Sequence, residues 1–292
     1  MNEISSKNIK IIIDNDSQEY EVNGFLRKMI NIFLVPVLNR LPRNLFVKSS
    51  KKAEEVHKHA TTHKALEVIY SFNHQIDFEK GILNGFFHYF WQKTNNAKAL
   101  RNRLKLVKRE LEKAIRSINK KEIRILNLAA GSNRGVVEVV GLHKNKFDFE
   151  VFAVDKSEFA IEDAKKLASI FDVAHLFNFH KNTISKFLDE NSDIKFDIIE
   201  MVGFLDYLKD EKAVRMFNQI YSALNNSGIF ITGNIKDNPE RKFVTEVVGW
   251  PNLIFRSESD LIKLIKNSEF RSSDIKIIYE PHNIHGVIIC KK

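Results

Sequence analysis

The stretch from Ile123 to Asp155 constrains this chain more than any other. An apolar run, Ile-Arg-Ile-Leu-Asn-Leu, stops at the small-residue turn Ala129-Ala130-Gly131-Ser132. A Val-rich segment with helical spacing follows, and a second apolar run ends in a lone carboxylate, Asp155. Strand, tight loop, helix, strand and acid in that order form a βαβ unit of the kind that holds a nucleotide or nucleoside. Small residues let the backbone approach a ligand closely, and the start of the following helix offers unpaired N–H groups. Asp155 stands 24 residues after Gly131, where a carboxylate can accept hydrogen bonds from both hydroxyls of a ribose.

From Ile123 onward strand-like and helix-like segments alternate. Strands are read at 123–129, 149–154, 173–177, 196–202, 228–235, 274–280 and 285–291, with helices such as Ser157 to Phe171 between them. That alternation implies an α/β fold with a mostly parallel sheet covered on both faces. Only Pro281 to Ile284 join the last two strands. So short a link cannot make a parallel crossover, so the last strand must run antiparallel. The boundary is placed near Lys120. Residues 1–120 form a mainly helical lid or accessory region and residues 121–292 the catalytic domain.

The N-terminal part reads as follows. Lys7 to Ile13 is a short β-like run and Asp14 to Glu19 a polar turn. Gly24 to Leu41 is amphipathic and helix-like as far as Pro36, with Pro42 closing it. Its apolar face (Phe25, Met29, Ile32, Phe33) is expected to pack on the main domain rather than on a membrane. Ser50 to Phe72 has helical spacing and carries His57, His59 and His63. The last two are four residues apart, but no HExxH glutamate or third ligand accompanies them, so no metal is expected. Gly81 to Trp91 is aromatic, and Tyr89 and Trp91 serve either as a core anchor or as a wall of a substrate pocket. Thr94 to Ile118 is the longest helix, with apolar positions recurring at three and four. Its opposite face (Arg101, Arg103, Lys105, Lys108, Arg109) reads as solvated, the alternative being that an arginine near its start, Arg101, reaches a carboxylate or phosphate.

Composition narrows the partners. Of 292 residues, 46 are Lys or Arg and 37 Asp or Glu, giving a net charge of +9 with both signs interspersed. Such a balance reads as a Lys-rich composition rather than a nucleic-acid footprint, and no aromatic-basic module for nucleic acid is present. The single cysteine, Cys290, suits a reducing compartment, so a cytoplasmic location is expected. Met1 to Lys10 lacks a basic start followed by an apolar run, so no leader is expected. The longest apolar stretch, Ile30 to Leu38, is too short to span a bilayer, which needs about 20 residues.

On the loop, Asp155, the strand order and the final hairpin, residues 121–292 resemble the class I S-adenosylmethionine-dependent methyltransferases. That resemblance implies a seven-stranded Rossmann-like sheet with an antiparallel last strand, an N-terminal helical lid, and S-adenosyl-L-methionine as cofactor. In the family's first motif, an acid-x-Gly-x-Gly-x-Gly loop, Asn127 stands for the acid, Ala129 for the first glycine and Asn133 for the last, while Gly131 matches the central one. The resemblance makes Asp155 the ribose-binding acid. It also assigns Asn127, Ala129, Ala130, Gly131, Ser132 and Lys156 to the cofactor. Phe196 to Gly203 matches the fourth strand, whose end (Glu200, Met201, Val202) faces cofactor and substrate. Asn178, after the third strand, would meet the adenine amine.

The tetrapeptide Asn-Pro-Pro-Tyr or Asp-Pro-Pro-Tyr of the family's DNA and amino-group methylases is replaced by Met201-Val202-Gly203-Phe204, which favours a small-molecule acceptor, as in secondary metabolism. Tyr207, His282 and His285 are the candidates for base or positioning group. Tyr89, Trp91, Arg101, Asn234, Trp250 and Arg256 are the candidates for contacting the acceptor. Two alternatives stay open: an enzyme that transfers or cyclises the aminocarboxypropyl arm of the same cofactor, and a nucleic-acid-binding methyltransferase using the basic helix. A dinucleotide oxidoreductase is disfavoured because GxGxxG is missing. A homodimer through the N-terminal helices is open.

Overall fold

The computed structural model describes residues 9–15, 18–75 and 81–292. Lys7 and Asn8 of the first β-like run, and Asp16 and Ser17 of the turn after it, lie outside the described residues. The chain runs through β1 (Ile9–Ile13), α1 (Phe25–Leu38), α2 (Arg43–Ser49), α3 (Lys51–Lys58), α4 (His63–Tyr70), α5 (Ile82–Gln92) and α6 (Asn95–Ser117). It continues through β2 (Glu122–Leu128), α7 (Arg134–His143), β3 (Asp148–Asp155), α8 (Glu158–Ile170), β4 (Phe177–Lys181), α9 (Ile184–Glu190) and β5 (Phe196–Met201). It closes with α10 (Asp210–Ala223), β6 (Leu224–Ile235), α11 (Glu258–Lys266), β7 (Asp274–Tyr279) and β8 (His285–Lys291).

The sheet order is β1-β7-β8-β6-β5-β2-β3-β4. Only β8 runs against its neighbours, as the short hairpin link requires. The expected α/β fold is therefore present, with eight strands among the described residues rather than seven. The extra strand is β1, which pairs in parallel with β7 from Ile9 opposite Ile275 to Ile13 opposite Tyr279. Its Ile-Lys-Ile-Ile-Ile sequence suits a strand; its partner, at the far end of the chain, leaves no local trace. The third strand of the main unit lies at 177–181 rather than 173–177, because Ala174–Leu176 make a 3-10 turn first.

Alternation along the central strands builds two cores. Ile123 and Ile125 of β2 join Val151, Val136, Leu111 and Ile115 on the α6–α7 face. Leu126 and Leu128 point the other way, to Phe187, Phe217, Phe230 and Leu261 beneath α9, α10 and α11. All six residues of β5 are buried, as a central parallel strand demands.

A third core ties the N-terminal helices to the segment after β6. Phe46, Trp91 and Phe243 meet edge to face, with ring centroids 5.5 and 5.8 Å from Phe46. The region read as one helix, Ser50 to Phe72, is two, α3 and α4, broken where Thr61 takes a positive φ of 72°. Pro36 falls in the last turn of α1, which continues to Leu38. The face of α1 expected to pack on the main domain does not: Phe25, Met29, Ile32 and Phe33 are exposed, and Val35 and Leu38 are the buried residues.

The longest helix, α6, begins on a carboxylate that lies far off in sequence. Glu240 accepts from the backbone N–H of Asn95 (2.9 Å) and of Asn96 (2.8 Å) while itself buried. No acidic residue stands in the first turn of α6, so Glu240 supplies the negative charge that the helix N-terminus favours. Glu240→Ala is expected to lower unfolding stability by about 2 kcal/mol, with Glu240→Gln losing less. Denaturant titrations of the three proteins check this; equal midpoints would refute the capping role.

Candidate functional site

A cavity of about 1410 Å³ opens beyond the carboxyl ends of β2, β3, β5 and β6. This is where an open parallel sheet presents its ligand site. The floor is the turn after β2, the roof is α4, and one wall is the face of α6 carrying Leu100, Arg103, Leu104 and Val107.

The turn is held in an unusual backbone. Ala129, Gly131 and Asn133 all take left-handed φ angles, of 52°, 55° and 60°. At Ala129 that costs about 1 kcal/mol, which glycine would avoid. Gly131 is needed for space as well as φ, since a Cβ there would stand 3.0 Å from the Cβ of His63. Asp155 fixes the loop: one oxygen accepts from Gly131 N–H at 2.9 Å and the other from Ser157 N–H at 2.8 Å. A carboxylate offers about four acceptor sites, so two remain for hydroxyls. Asn127 donates to Asn133 Oδ1 at 2.8 Å, and its own Oδ1 is buried with no partner, as is Nδ2 of Asn133. Unsatisfied buried polar atoms in a cavity wall are what a missing ligand would answer.

The roof is bound to the floor by ions. Glu67 of α4 accepts from Ser132 Oγ at 2.7 Å and from Arg134 Nε at 2.9 Å, and pairs with Arg134 Nη2. Arg134 also reaches Glu138 at 2.9 Å. His63 Nε2 lies 2.9 Å from Asp163 of α8. His63, one of the two histidines weighed as metal ligands, thus ties α4 to α8.

The deep end holds titratable groups. Arg103, buried, lies 3.3 Å from Tyr70 Oη and 3.8 Å from Asp206. Burial alone would discourage its charge, but Tyr70 and Asp206 outweigh that and hold its pKa above the usual arginine value. Burial pushes the Glu200 carboxyl up to about 8, against the opposing pull of the Val202 N–H and Arg103. Burial holds His285 well below the usual histidine value, with Arg103 adding to the effect, and its Nδ1 has no partner. Tyr207 accepts from Trp250 Nε1 at 2.6 Å, and burial raises its hydroxyl to about 12.

Twelve of the twenty residues assigned from sequence to cofactor, catalysis or acceptor line this cavity. On the floor and strand ends they are Asn127, Ala129, Ala130, Gly131, Ser132 and Asp155. At its other parts they are Lys156, Glu200, Val202, Tyr207, Trp250 and His285. The others do not. Met201 points into the core under α10, because alternation turns it away from Glu200. Asn178 is exposed near the start of β4, the strand having shifted toward the C-terminus, and Asn182 and Thr183 stand at the cavity edge instead. His282 is tied to the Glu21 carbonyl at 2.7 Å.

Trp91 is a core residue beside Phe46, and Tyr89 packs near Phe72, 5.9 Å between centroids. Arg101 is not solvated: it grips Glu21 at 2.6 and 2.8 Å and the Gln92 carbonyl at 2.8 Å. Asn234 and Arg256 bond each other at 2.7 Å, Arg256 also holding Asp210, so both fasten the loop after β6. Sequence reading missed Arg103, Tyr70 and Glu67. Nothing in helical spacing separates an arginine that lines the cavity from one that closes on Glu21 two residues away.

A family model described as a methyltransferase domain matches residues 119–284, more than half of the chain. Among solved structures, a possible exported protein from Bordetella parapertussis superposes with a TM-score of 0.64 at 11% identity, covering 93% of this chain and 99% of that one. Magnesium protoporphyrin IX methyltransferase from Synechocystis with bound SAH gives 0.52 at 13% identity, covering 68% and 87%. The same enzyme with bound SAM gives 0.50 at 12%, covering 68% and 85%. At these identities the likeness is one of fold. No curated protein matches the sequence.

Glu200 makes stability depend on pH. Between its ordinary value of 4.5 and about 8, the folded chain keeps a proton that the unfolded chain has released. Stability therefore falls as pH rises through that window. Glu200→Gln keeps the shape and cannot ionise, so its melting temperature should fall less across the same window. Thermal melts at both ends test this, and parallel curves for the two proteins would contradict it.

Proposed function

The chain belongs to the methyltransferase-domain family of S-adenosyl-L-methionine-dependent enzymes, and we propose that it methylates a small organic anion held beneath α4. The observation that carries this reading is the continuity of one cavity, which joins the turn at Gly131 and Asp155 to the compartment of Arg103, Glu200 and His285. The first part suits a nucleoside and the second an acceptor. Residues 1–120 then act as the lid region and residues 121–292 as the catalytic unit.

The donor set fits the cofactor. Asp155 has acceptor sites left for ribose hydroxyls, Asn127 Oδ1 is buried without a partner, and Gly131 keeps the floor clear of side chain. Asn182 and Thr183 would stand beside the base, as Asn178 cannot. When bound, the cofactor supplies an electrophilic methyl on a sulfonium. The rest is the work of this chain. Arg103 keeps its charge inside the cavity, where its nearest carboxylate is 3.8 Å away, so it has hydrogen-bonding capacity for an acidic group of the acceptor. His285 is uncharged with a free Nδ1, so it can take a proton from an acceptor hydroxyl or amine. Glu200 is protonated at neutral pH and can donate a hydrogen bond. Tyr207, anchored by Trp250, forms part of the wall. α4 excludes water and holds donor and acceptor in near-attack geometry.

A small-molecule acceptor is further supported by α6. Its basic residues are engaged within the chain, Arg109 with Asp14, Lys108 with Glu138 and Arg116 with Glu112, rather than left for a nucleic acid. We assign the reaction to the cytoplasm and to metabolite tailoring of the secondary kind. Asn127 in place of an acid leaves one competing reading, use of the aminocarboxypropyl arm. Isothermal titration with S-adenosyl-L-methionine is expected to show binding that Asp155→Ala weakens about tenfold or more, the worth of two charged hydrogen bonds. Turnover with an accepted substrate should yield S-adenosylhomocysteine. No binding, or no effect of Asp155→Ala, would sink the cofactor assignment, and methylthioadenosine as product would overturn methyl transfer.

A further inference from the structure

The helix α1 is apolar on both sides. Its inner side buries Val35 and Leu38 and is fixed by Arg27, which donates to the Lys93 carbonyl at 3.4 Å and lies 5.1 Å from the Phe90 ring. Its outer side carries Phe25, Leu26, Met29, Ile32, Phe33 and Val37, all exposed. At 3.6 residues per turn these six fall within an arc of about 140° that holds no charged or polar residue. Phe25 is 81% and Phe33 76% exposed, so this is a face without a cover among the described residues, not the fringe of a core. Helices apolar all round are normally buried.

The charge around the helix says what covers it. Residues 22–53 hold seven Lys or Arg (Arg27, Lys28, Arg40, Arg43, Lys48, Lys51, Lys52) and no Asp or Glu, in a chain where acids otherwise nearly balance bases. Lys28 on α1 is exposed, as are Arg40, Arg43 and Lys48 just after it in the chain. A second copy of the chain would bring the same positive segment against itself, which disfavours self-pairing through this face. A surface that is apolar inside and negative outside complements both features at once. No helix of the described residues is long and apolar enough to cross a membrane, so the geometry is that of a helix lying in the plane. We propose that α1 docks the protein on an anionic lipid bilayer, its Phe25–Phe33 face entering the acyl boundary while Lys28, Arg40, Arg43 and Lys48 meet the headgroups.

Co-sedimentation of the full chain with vesicles tests this. Vesicles containing phosphatidylglycerol should retain it at low salt, and pure phosphatidylcholine vesicles should retain about tenfold less. The exposed double variant Phe25→Ser/Phe33→Ser should lose binding about tenfold with an unchanged thermal melt, since binding scales with apolar area inserted. Lys28→Glu/Arg40→Glu should shift binding to lower salt. No retention by anionic vesicles would overturn the proposal. Retention unaffected by the Phe substitutions would do so too, since it would be charge adsorption alone. A dimer in light scattering that the Phe substitutions dissolve, without vesicle binding, would assign the face to a second copy instead.

Discussion

The carboxylate of Glu67 is the contact on which the site depends. The helix α7 starts at Arg134, with no acid in its first turn and no side-chain cap. A guanidinium placed at the positive end of a helix is unfavourable by itself. Glu67, reaching down from α4, answers both the guanidinium and the Ser132 hydroxyl. The acid that the turn and its helix lack is thus provided by α4. His63, beside Glu67 on the same helix, packs over Gly131 and pairs with Asp163. Loop and roof are one structure in consequence, and Gly131 is required by the roof as much as by its own φ.

Beneath that roof, burial sorts the ionisable groups by charge. It raises the pKa of Glu200 and Asp206 and lowers that of His285, favouring the neutral form of each. Arg103 alone resists, held charged by Tyr70 and Asp206. The deep compartment therefore holds a charged guanidinium beside an imidazole that burial keeps neutral. Under the proposed function, the guanidinium of Arg103 would favour an acidic acceptor and His285 would serve as its base.

Sequence reading located the turn, Asp155 and the reversed last strand because each has a local chemical reason: small residues for close approach, a carboxylate for hydroxyls, a link too short to cross over. It misplaced β4, because Val173 to Phe177 looks like a buried strand while the true strand alternates from Phe177 to Lys181. It left β1 unpaired because pairing with β7 is a tertiary fact. Arg101 and Arg103 were equivalent on a helix face, yet one closes on Glu21 and the other enters the cavity. The apolar face of α1 was expected against the main domain rather than a membrane because the segment is short and only Arg27, Lys28 and Arg40 supply charge. Periodicity shows that a face is apolar, and only the folded chain shows whether anything meets it.

The central claim is that α4 is part of the cofactor site rather than a neighbour of it. Amide hydrogen exchange with and without S-adenosylhomocysteine tests it most directly. The account predicts added protection both in the turn at 129–135 and in α4 at 63–70, since Glu67 and His63 link the two. Protection confined to the turn, with α4 exchanging at its ligand-free rate, would contradict it.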